Sequence, residues 1–324
     1  MIRSFIFSDG KVVGQDLELE ALRLVRADKG LLLWVDLDNP TETEIKAILE
    51  GVFQFHPLAI EDCVKPSSLP KLEDYEDYLF LVTHAVDFTR TDKFATTELD
   101  LFIGPDYLVT FHTAPLRSVA SLTERYVKSA GTGPRGPDRI VHSLLDLLVD
   151  NFNPVLDELR AELEEIEEHV LAREPGQQKF VSELLHVRRD FTRLRTIIRP
   201  QRDVIERLAR GDGKQIRAKL LPYFRDLRDN LVRLDEVAAG YHERLMMSFD
   251  IYLNKAAFEA NEGIKFLTAL TAVTLPVMVV GTWYGMNFEH MKELQSAHGY
   301  QIALGVTVLF TVATWIYLRR RRWF

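Results

Sequence analysis

The chain has a single cysteine, Cys63, in 324 residues. No internal disulfide can form, and a reducing compartment suits the composition. A catalytic or metal-ligating role for Cys63 has no second cysteine to support it. Also missing are a Ser-His-Asp order, a phosphate-cradling glycine loop and a clustered Cys/His set, so an enzyme has no site to rest on. His84 and His112 sit in or beside apolar strand patterns and read as structural rather than as ligands. Basic charge is not in excess either. Lys and Arg number 40 against 48 Asp and Glu, a formal net charge of -8 that argues against a nucleic-acid partner. The opening Met1-Ile2-Arg3-Ser4-Phe5 lacks a long apolar core and a small-residue cleavage site, so no signal peptide is expected.

Long apolar runs are present, although a mean hydropathy of -0.07 conceals them beneath a polar N-terminal part. Residues 266–284 carry no formal charge over 19 positions, roughly 28 Å of helix. Residues 302–318 form a second run of about 26 Å by the same rise per residue. A buried core helix is the alternative for each. Two runs joined by a short polar link, the second ending in Trp315, Tyr317 and then Arg319 to Arg322, instead predict two membrane spans. The terminal arginines belong on the cytoplasmic side, and two spans return the chain there. Both termini are therefore expected in the cytoplasm of a multi-pass protein of the plasma (inner) membrane, with the lipid bilayer as a partner.

Residues 1–130 read as a cytosolic α/β domain. Strand signals fall at 31–35, 78–82, 99–103 and 107–111, the last pair joined by Gly104-Pro105-Asp106. Helical patterns fall at 42–52 and 116–128. After a Gly/Pro-rich break at 131–137, residues 138–210 read as a cytosolic helical hairpin: one long pattern over 138–173, another over 178–210 with a kink expected at Pro200. The first is acidic (Asp157, Glu158, Glu162, Glu164, Glu165, Glu167, Glu168), the second basic (Arg188, Arg189, Arg193, Arg195, Arg199, Arg202). They fit a solvated hairpin with complementary faces, or direct ion handling. A stalk helix is predicted over 215–284 that becomes the first span at about 264–284. An external loop at 285–301, the second span at 302–318 and a cytosolic basic tail at 319–324 complete the chain. A helix that long cannot be buried within one subunit, and copies of itself are the economical neighbours.

Within the first span, steps of three and four residues place Asn261, Ile264, Leu267, Thr271, Leu275, Met278 and Thr282 on one stripe. Around an axis, such stripes make alternating apolar and polar rings that gate by dewetting and hydrogen-bond a hydrated ion. Packing against a neighbour explains the same periodicity. No carboxylate lies in the segment, so a passing cation would not be trapped.

The span closes on Tyr284-Gly285-Met286-Asn287. Gly-Met-Asn at this place, the segment Phe288-Glu289-His290-Met291-Lys292-Glu293-Leu294 and the basic run before Trp323-Phe324 resemble the CorA family of divalent-cation transporters. So do Pro222-Tyr223-Phe224-Arg225-Asp226, Asp250-Ile251-Tyr252-Leu253 and His56-Pro57-Leu58-Ala59-Ile60-Glu61-Asp62. The resemblance covers essentially the whole chain. It implies a funnel-shaped homopentamer in which the long helix lines the pore and the second span forms an outer ring. Gly285, Met286 and Asn287 would then be the selectivity filter, Asn261 a polar ring at the inner end, and Mg²⁺ both cargo and cytosolic regulator. The regulatory ion would bind between identical subunits through Asp250 and Asp226, with Asp87 a candidate partner. Glu289 and Glu293 in the external loop would concentrate cations there, or be screened surface charges. Lys292 departs from the family pattern and weakens an acidic mouth. Leu275 and Ile264 occupy gate positions where relatives carry methionine, and Pro276 should free the carbonyl of Ala272. Co²⁺, Ni²⁺ or Zn²⁺ are the alternative cargoes, and a non-conducting membrane scaffold is the alternative from another functional class.

Overall fold

The computed structural model describes all residues except 29, 66–68, 87–93, 95, 129–132, 173–177, 287–297, 322 and 324, together with the side chains of 178 and 179. These residues group into two compact units, Met1–Glu168 with Lys179–Met246, and His169–Gln178 with Met247–Phe324.

The first unit is built on a seven-stranded sheet. Its strands are β1 (Ile2–Ser8), β2 (Lys11–Gln15), β3 (Leu32–Asp38), β4 (Lys71–Asp74), β5 (Leu79–Val86), β6 (Thr96–Ile103) and β7 (Tyr107–His112). The order is β2-β1-β3-β7-β6-β5-β4, with β3 and β7 parallel and the other neighbours antiparallel. Every residue of β5 and β7 is buried, which explains why they read as continuous apolar runs rather than alternations. On one face, Val35, Phe80, Phe102 and Val109 pack with residues of α1 (Leu19–Ala27), a π-helical turn over Lys46–Val52 and α3 (Pro57–Val64). The short α2 (Glu42–Ile45) opens that segment with a Thr41–Glu44 capping box. The other face carries α4 (Arg117–Lys128) and α5 (Pro137–Asp150), with Tyr126 edge-on to Phe7 and Trp34.

The turn predicted at Gly104-Pro105-Asp106 forms, closed by the Gly104 amide donating to the Tyr107 carbonyl at 2.9 Å. A Cβ at Gly104 would lie 2.1 Å from the Tyr107 ring, so glycine is required there by close approach. The β1–β2 hairpin and β4 are additions to the strands read from sequence. The helical pattern expected over 138–173 is divided at Asn151 into α5 and α6 (Phe152–Ala172). The next helix, α7 (Gln178–Arg210), continues through Pro200 as 33 residues of one helix. Its end falls at residue 210, the bound expected for that pattern. Gly211 and Gly213 adopt φ of 91° and 95°, and a Cβ on Gly213 would meet Leu79 at 2.3 Å.

A 3₁₀ turn over Ala218–Leu220 then leads into α8 (Leu221–Tyr284), 64 residues without interruption, about 96 Å long. Just before it, Arg217 is fixed by a fork onto the fully buried Asp138 in the first turn of α5, with Nε donating to Oδ2 at 2.6 Å. The last helix is α9 (Gly299–Arg320). The expected class, an α/β domain followed by long helices and two apolar helices, is the observed one.

Candidate functional site

Helices α8 and α9 each contain a window apolar and long enough to cross a membrane, and only 6% of each window is buried. The residues that are shielded fall on one stripe per helix. In α8, beyond Ile264, they are Lys265, Ala269, Ala272, Val273, Pro276, Val280 and Tyr284. In α9 they are Gly299, Ala303, Thr307, Thr311, Thr314 and Leu318. Small side chains dominate the α9 stripe, and Ala269 and Ala272 contribute them to α8, as close packing of helices in lipid favours.

The stripe singled out from sequence lies elsewhere on α8. At 100° per residue its centre is roughly 145° from the shielded stripe. Asn261, Ile264, Leu267, Thr271, Leu275, Met278 and Thr282 are all exposed, Leu267 at 63% and Met278 at 62%. These apolar side chains are therefore left uncovered by the unit that carries them.

The threonines on this helix have committed protons. Thr271 Oγ1 donates to the Leu267 carbonyl at 2.9 Å and Thr282 Oγ1 to Met278 at 2.7 Å. Thr268 and Thr274 do the same toward Ile264 and Leu270. A hydroxyl whose proton is held by its own backbone offers only lone pairs outward. Toward solvent, Thr271 and Thr282 act as pure acceptors, which suits the hydrogens of water bound to a cation. At the helix end, the Gly285 amide donates to Gly281 O at 3.0 Å, and Gly285 and Met286 are exposed. Asn287, Glu289 and Glu293 lie outside the described residues, as does Lys292.

Asp250 and Asp226 are both exposed on α8. The expected partner Asp87 lies outside the described residues. Among the described residues no group of three or more His, Cys, Asp or Glu is arranged to hold a metal ion. Each aspartate is thus a single carboxylate, and a bridging cation would need oxygens from a second copy. Asp226 acts on His142, whose pKa is lowered by burial even though Asp146 and Asp226 pull it upward. The acid–base pairing of the helical hairpin is redistributed: Arg195 and Arg199 of α7 donate to Asp235 on α8 at 3.0 and 3.2 Å. Arg244 of α8 in turn holds Glu167 of α6 at 2.7 Å.

His84, His112 and Cys63 are buried in the first unit. The β3–β7 register sets Asp36 opposite Thr110 and Asp38 opposite His112. Thr110 Oγ1 donates to Asp36 Oδ1 at 2.7 Å, and His112 Nε2 lies 3.1 Å from the same oxygen. Burial pushes the His112 pKa down, but the bond to Asp36 and its charge prevail and raise it above the ordinary histidine value. His84 faces Glu98 across β5–β6 at 3.6 Å. Burial, then the neighbouring Asp100, lifts the Cys63 thiol well above its usual range, so it stays protonated and inert. The sequence reading missed Asp36 and Asp100 because nothing local marks a strand aspartate as buried; only pairing across the sheet does.

Comparison with known proteins decides the class. The family model described as "CorA-like Mg2+ transporter protein" matches residues 29–320. The chain belongs to this CorA-like family. It is accordingly a membrane transporter of divalent cations and not an enzyme. Among its relatives, the metal ion transporter YfjQ of Bacillus subtilis, so named, is 32% identical over 291 residues, covering 90% of this chain and 89% of that protein. The cobalt/magnesium transport protein CorA of Thermotoga maritima is 26% identical, covering 91% and 84%. The fold matches the complete structure of the CorA magnesium transporter from Methanocaldococcus jannaschii with a TM-score of 0.80 at 21% identity, over 99% of this chain and 98% of that one. It matches the full-length CmaX protein with a TM-score of 0.78 at 22% identity, over 99% and 97%.

Proposed function

We propose that this CorA-like chain carries Mg²⁺ passively into the cytosol through a pore lined by the exposed α8 stripe of several identical subunits, five in the family's pattern. The observation that carries the reading is the stripe itself: uncovered by its own unit, with Thr271 and Thr282 showing only acceptor oxygens. Rings of Ile264, Leu267, Leu275 and Met278 would gate by dewetting, and the threonine rings would accept hydrogen bonds from first-shell waters. Mg²⁺ gives up its water reluctantly. A neutral carboxamide ring at Asn287, after Gly285 and Met286, therefore selects the hydrated ion without stripping it, and Asn261 does so at the inner end. Glu289 and Glu293 would raise the cation concentration outside. The drive is about 4.6 kcal/mol per divalent ion at 100 mV. Both termini would face the cytoplasm of a cell or inner membrane.

Regulation would follow from the single carboxylates. Asp250 and Asp226, with a first-domain acid such as Asp87 from a second copy, repel across a boundary unless a cation bridges them. Cytosolic Mg²⁺ would then stabilise a closed ring, and its loss would loosen it. Co²⁺ as cargo is the second reading, favoured by the cobalt/magnesium name of the Thermotoga relative; Ni²⁺ and Zn²⁺ belong to the same competition test.

Mg²⁺ influx into proteoliposomes under an inside-negative potential, with cobalt hexammine outside, tests the assignment. Block by that complex, a mimic of hydrated Mg²⁺, is expected. Absence of Mg²⁺ influx while Co²⁺ or Zn²⁺ enters would overturn it.

A further inference from the structure

Helix α9 closes on arginines that nothing in its own stretch of sequence neutralises. From Leu294 to Phe324 there is no Asp or Glu, while Arg319, Arg320, Arg321 and Arg322 follow one another. Leu318 beside them is buried, and Arg319, Arg320 and Arg321 are exposed. At about 100° per residue these three lie roughly 100°, 200° and 300° around the helix from Leu318, so none falls on its shielded stripe. Glu262, the last acid before the first span, is already held by Lys265 at 2.5 Å.

Two of the guanidiniums are set over rings one turn back. Arg319 Cζ lies 5.2 Å from the centre of the Trp315 ring, and Arg321 Cζ 5.8 Å from that of Tyr317. A guanidinium attracted through its face keeps its in-plane N–H donors for a second partner. Depth fits a lipid partner as well. Tyr300 and Tyr317 bracket about 26 Å of α9, close to the thickness of a bilayer core. Exposed Tyr and Trp at such ends sit at headgroup level, and the arginines follow within about one turn, where lipid phosphates lie. The C-terminal end of a helix favours cations and repels anions, so an anion here is held by the side chains alone. Phosphatidylcholine answers its phosphate with its own ammonium, whereas an anionic lipid brings a charge that only the protein can answer. We propose that Arg319, Arg320 and Arg321 bind the phosphodiester of an anionic phospholipid, with Trp315 and Tyr317 holding the guanidiniums in place. The site does not depend on which cation the protein carries.

The test is thermal unfolding of the full chain in detergent, titrated with phosphatidylglycerol or with phosphatidylcholine. A saturable rise in melting temperature is expected with phosphatidylglycerol and not with phosphatidylcholine. An Arg319→Gln, Arg320→Gln, Arg321→Gln variant should need at least about tenfold more phosphatidylglycerol for the same rise. Because these arginines also bear on membrane topology, a second variant replaces all three with lysine and keeps the charge. It should bind more weakly than the parent, since lysine lacks the forked donors. Lys214→Gln, which removes an exposed charge from the first unit, should respond as the parent does. Four results overturn the site. The first is no preference for phosphatidylglycerol in the parent chain, and the second is an unchanged response in either triple variant. The third is an equal rise with inorganic phosphate at the same concentration, which would name free phosphate rather than lipid. The fourth is a change in subunit count on adding phosphatidylglycerol, which would assign the arginines to a contact between copies.

Discussion

In the sheet-bearing unit, Asp36 accepts from Thr110 and lies against His112 in a setting with no access to water. In the C-terminal unit, Thr271 and Thr282 give their protons to their own helix and turn bare acceptor oxygens outward. Residues that look chemical (His112, Asp36, Cys63) are thus interior in the first unit, while plain ones (Thr271, Leu267, Asn261) lie exposed on the second. Burial explains the contrast. A sheet covered on both faces must satisfy its polar groups internally, whereas a helix satisfies its own backbone and can leave a whole face to a partner or an ion.

The sharpest way to break the contrast is Asn287→Ala, which should bring selective Mg²⁺ influx in proteoliposomes to background while leaving the melting of the sheet unit unchanged. Uptake at the parent rate would remove Asn287 from the filter. Next in size is Trp34→Ala. Trp34 is fully buried and donates from Nε1 to Thr110 Oγ1 at 3.1 Å, so denaturant unfolding should show a loss of about 3–5 kcal/mol. The matching truncation on the other side, Leu267→Ala, removes a side chain 63% exposed. It should change stability by less than about 0.5 kcal/mol while altering ion flux.

Thr271→Val keeps the shape and deletes the acceptor. Flux should fall roughly tenfold, the worth of about 1.4 kcal/mol at the barrier, with Thr271→Ser restoring most of it. Unchanged flux in the valine variant would return the stripe to a packing role.

His112 gives a pH test of the first unit. Its folded pKa is raised above the ordinary 6.5, so its stabilisation is fully present below about pH 6.5 and is lost as pH rises through the folded value. His112→Gln should flatten that slope, at a cost of about 1–2 kcal/mol at low pH. The smallest effect belongs to α9. The Thr311 hydroxyl is buried without a hydrogen-bond partner, so Thr311→Val should be neutral or stabilising by under about 1 kcal/mol, read as thermal retention of the detergent-solubilised protein.

Much was legible from local pattern. The two apolar runs, the end of the 178–210 helix, the Gly104 turn and the stripe from Asn261 to Thr282 are all set by spacing along one segment, and spacing survives folding. Propensity did not divide α5 from α6 at Asn151 or reveal the β1–β2 hairpin and β4. Those depend on what the sheet and its covering helices leave room for. Nor did it pair the arginines of α7 with Asp235, because opposite charge names a class of partner and not the nearest one.

By itself, then, the sequence carried the family resemblance in its motifs, and it determined the length of the two apolar runs and which face of α8 is apolar and threonine-bearing, because length and face follow from composition and the 3.6-residue period. Only the tertiary structure decided that this face stays uncovered, that Asp36, Asp100 and Cys63 are interior, and that Arg195 and Arg199 of α7 meet Asp235 of α8. Burial and pairing join residues distant in the chain, and no local period encodes them.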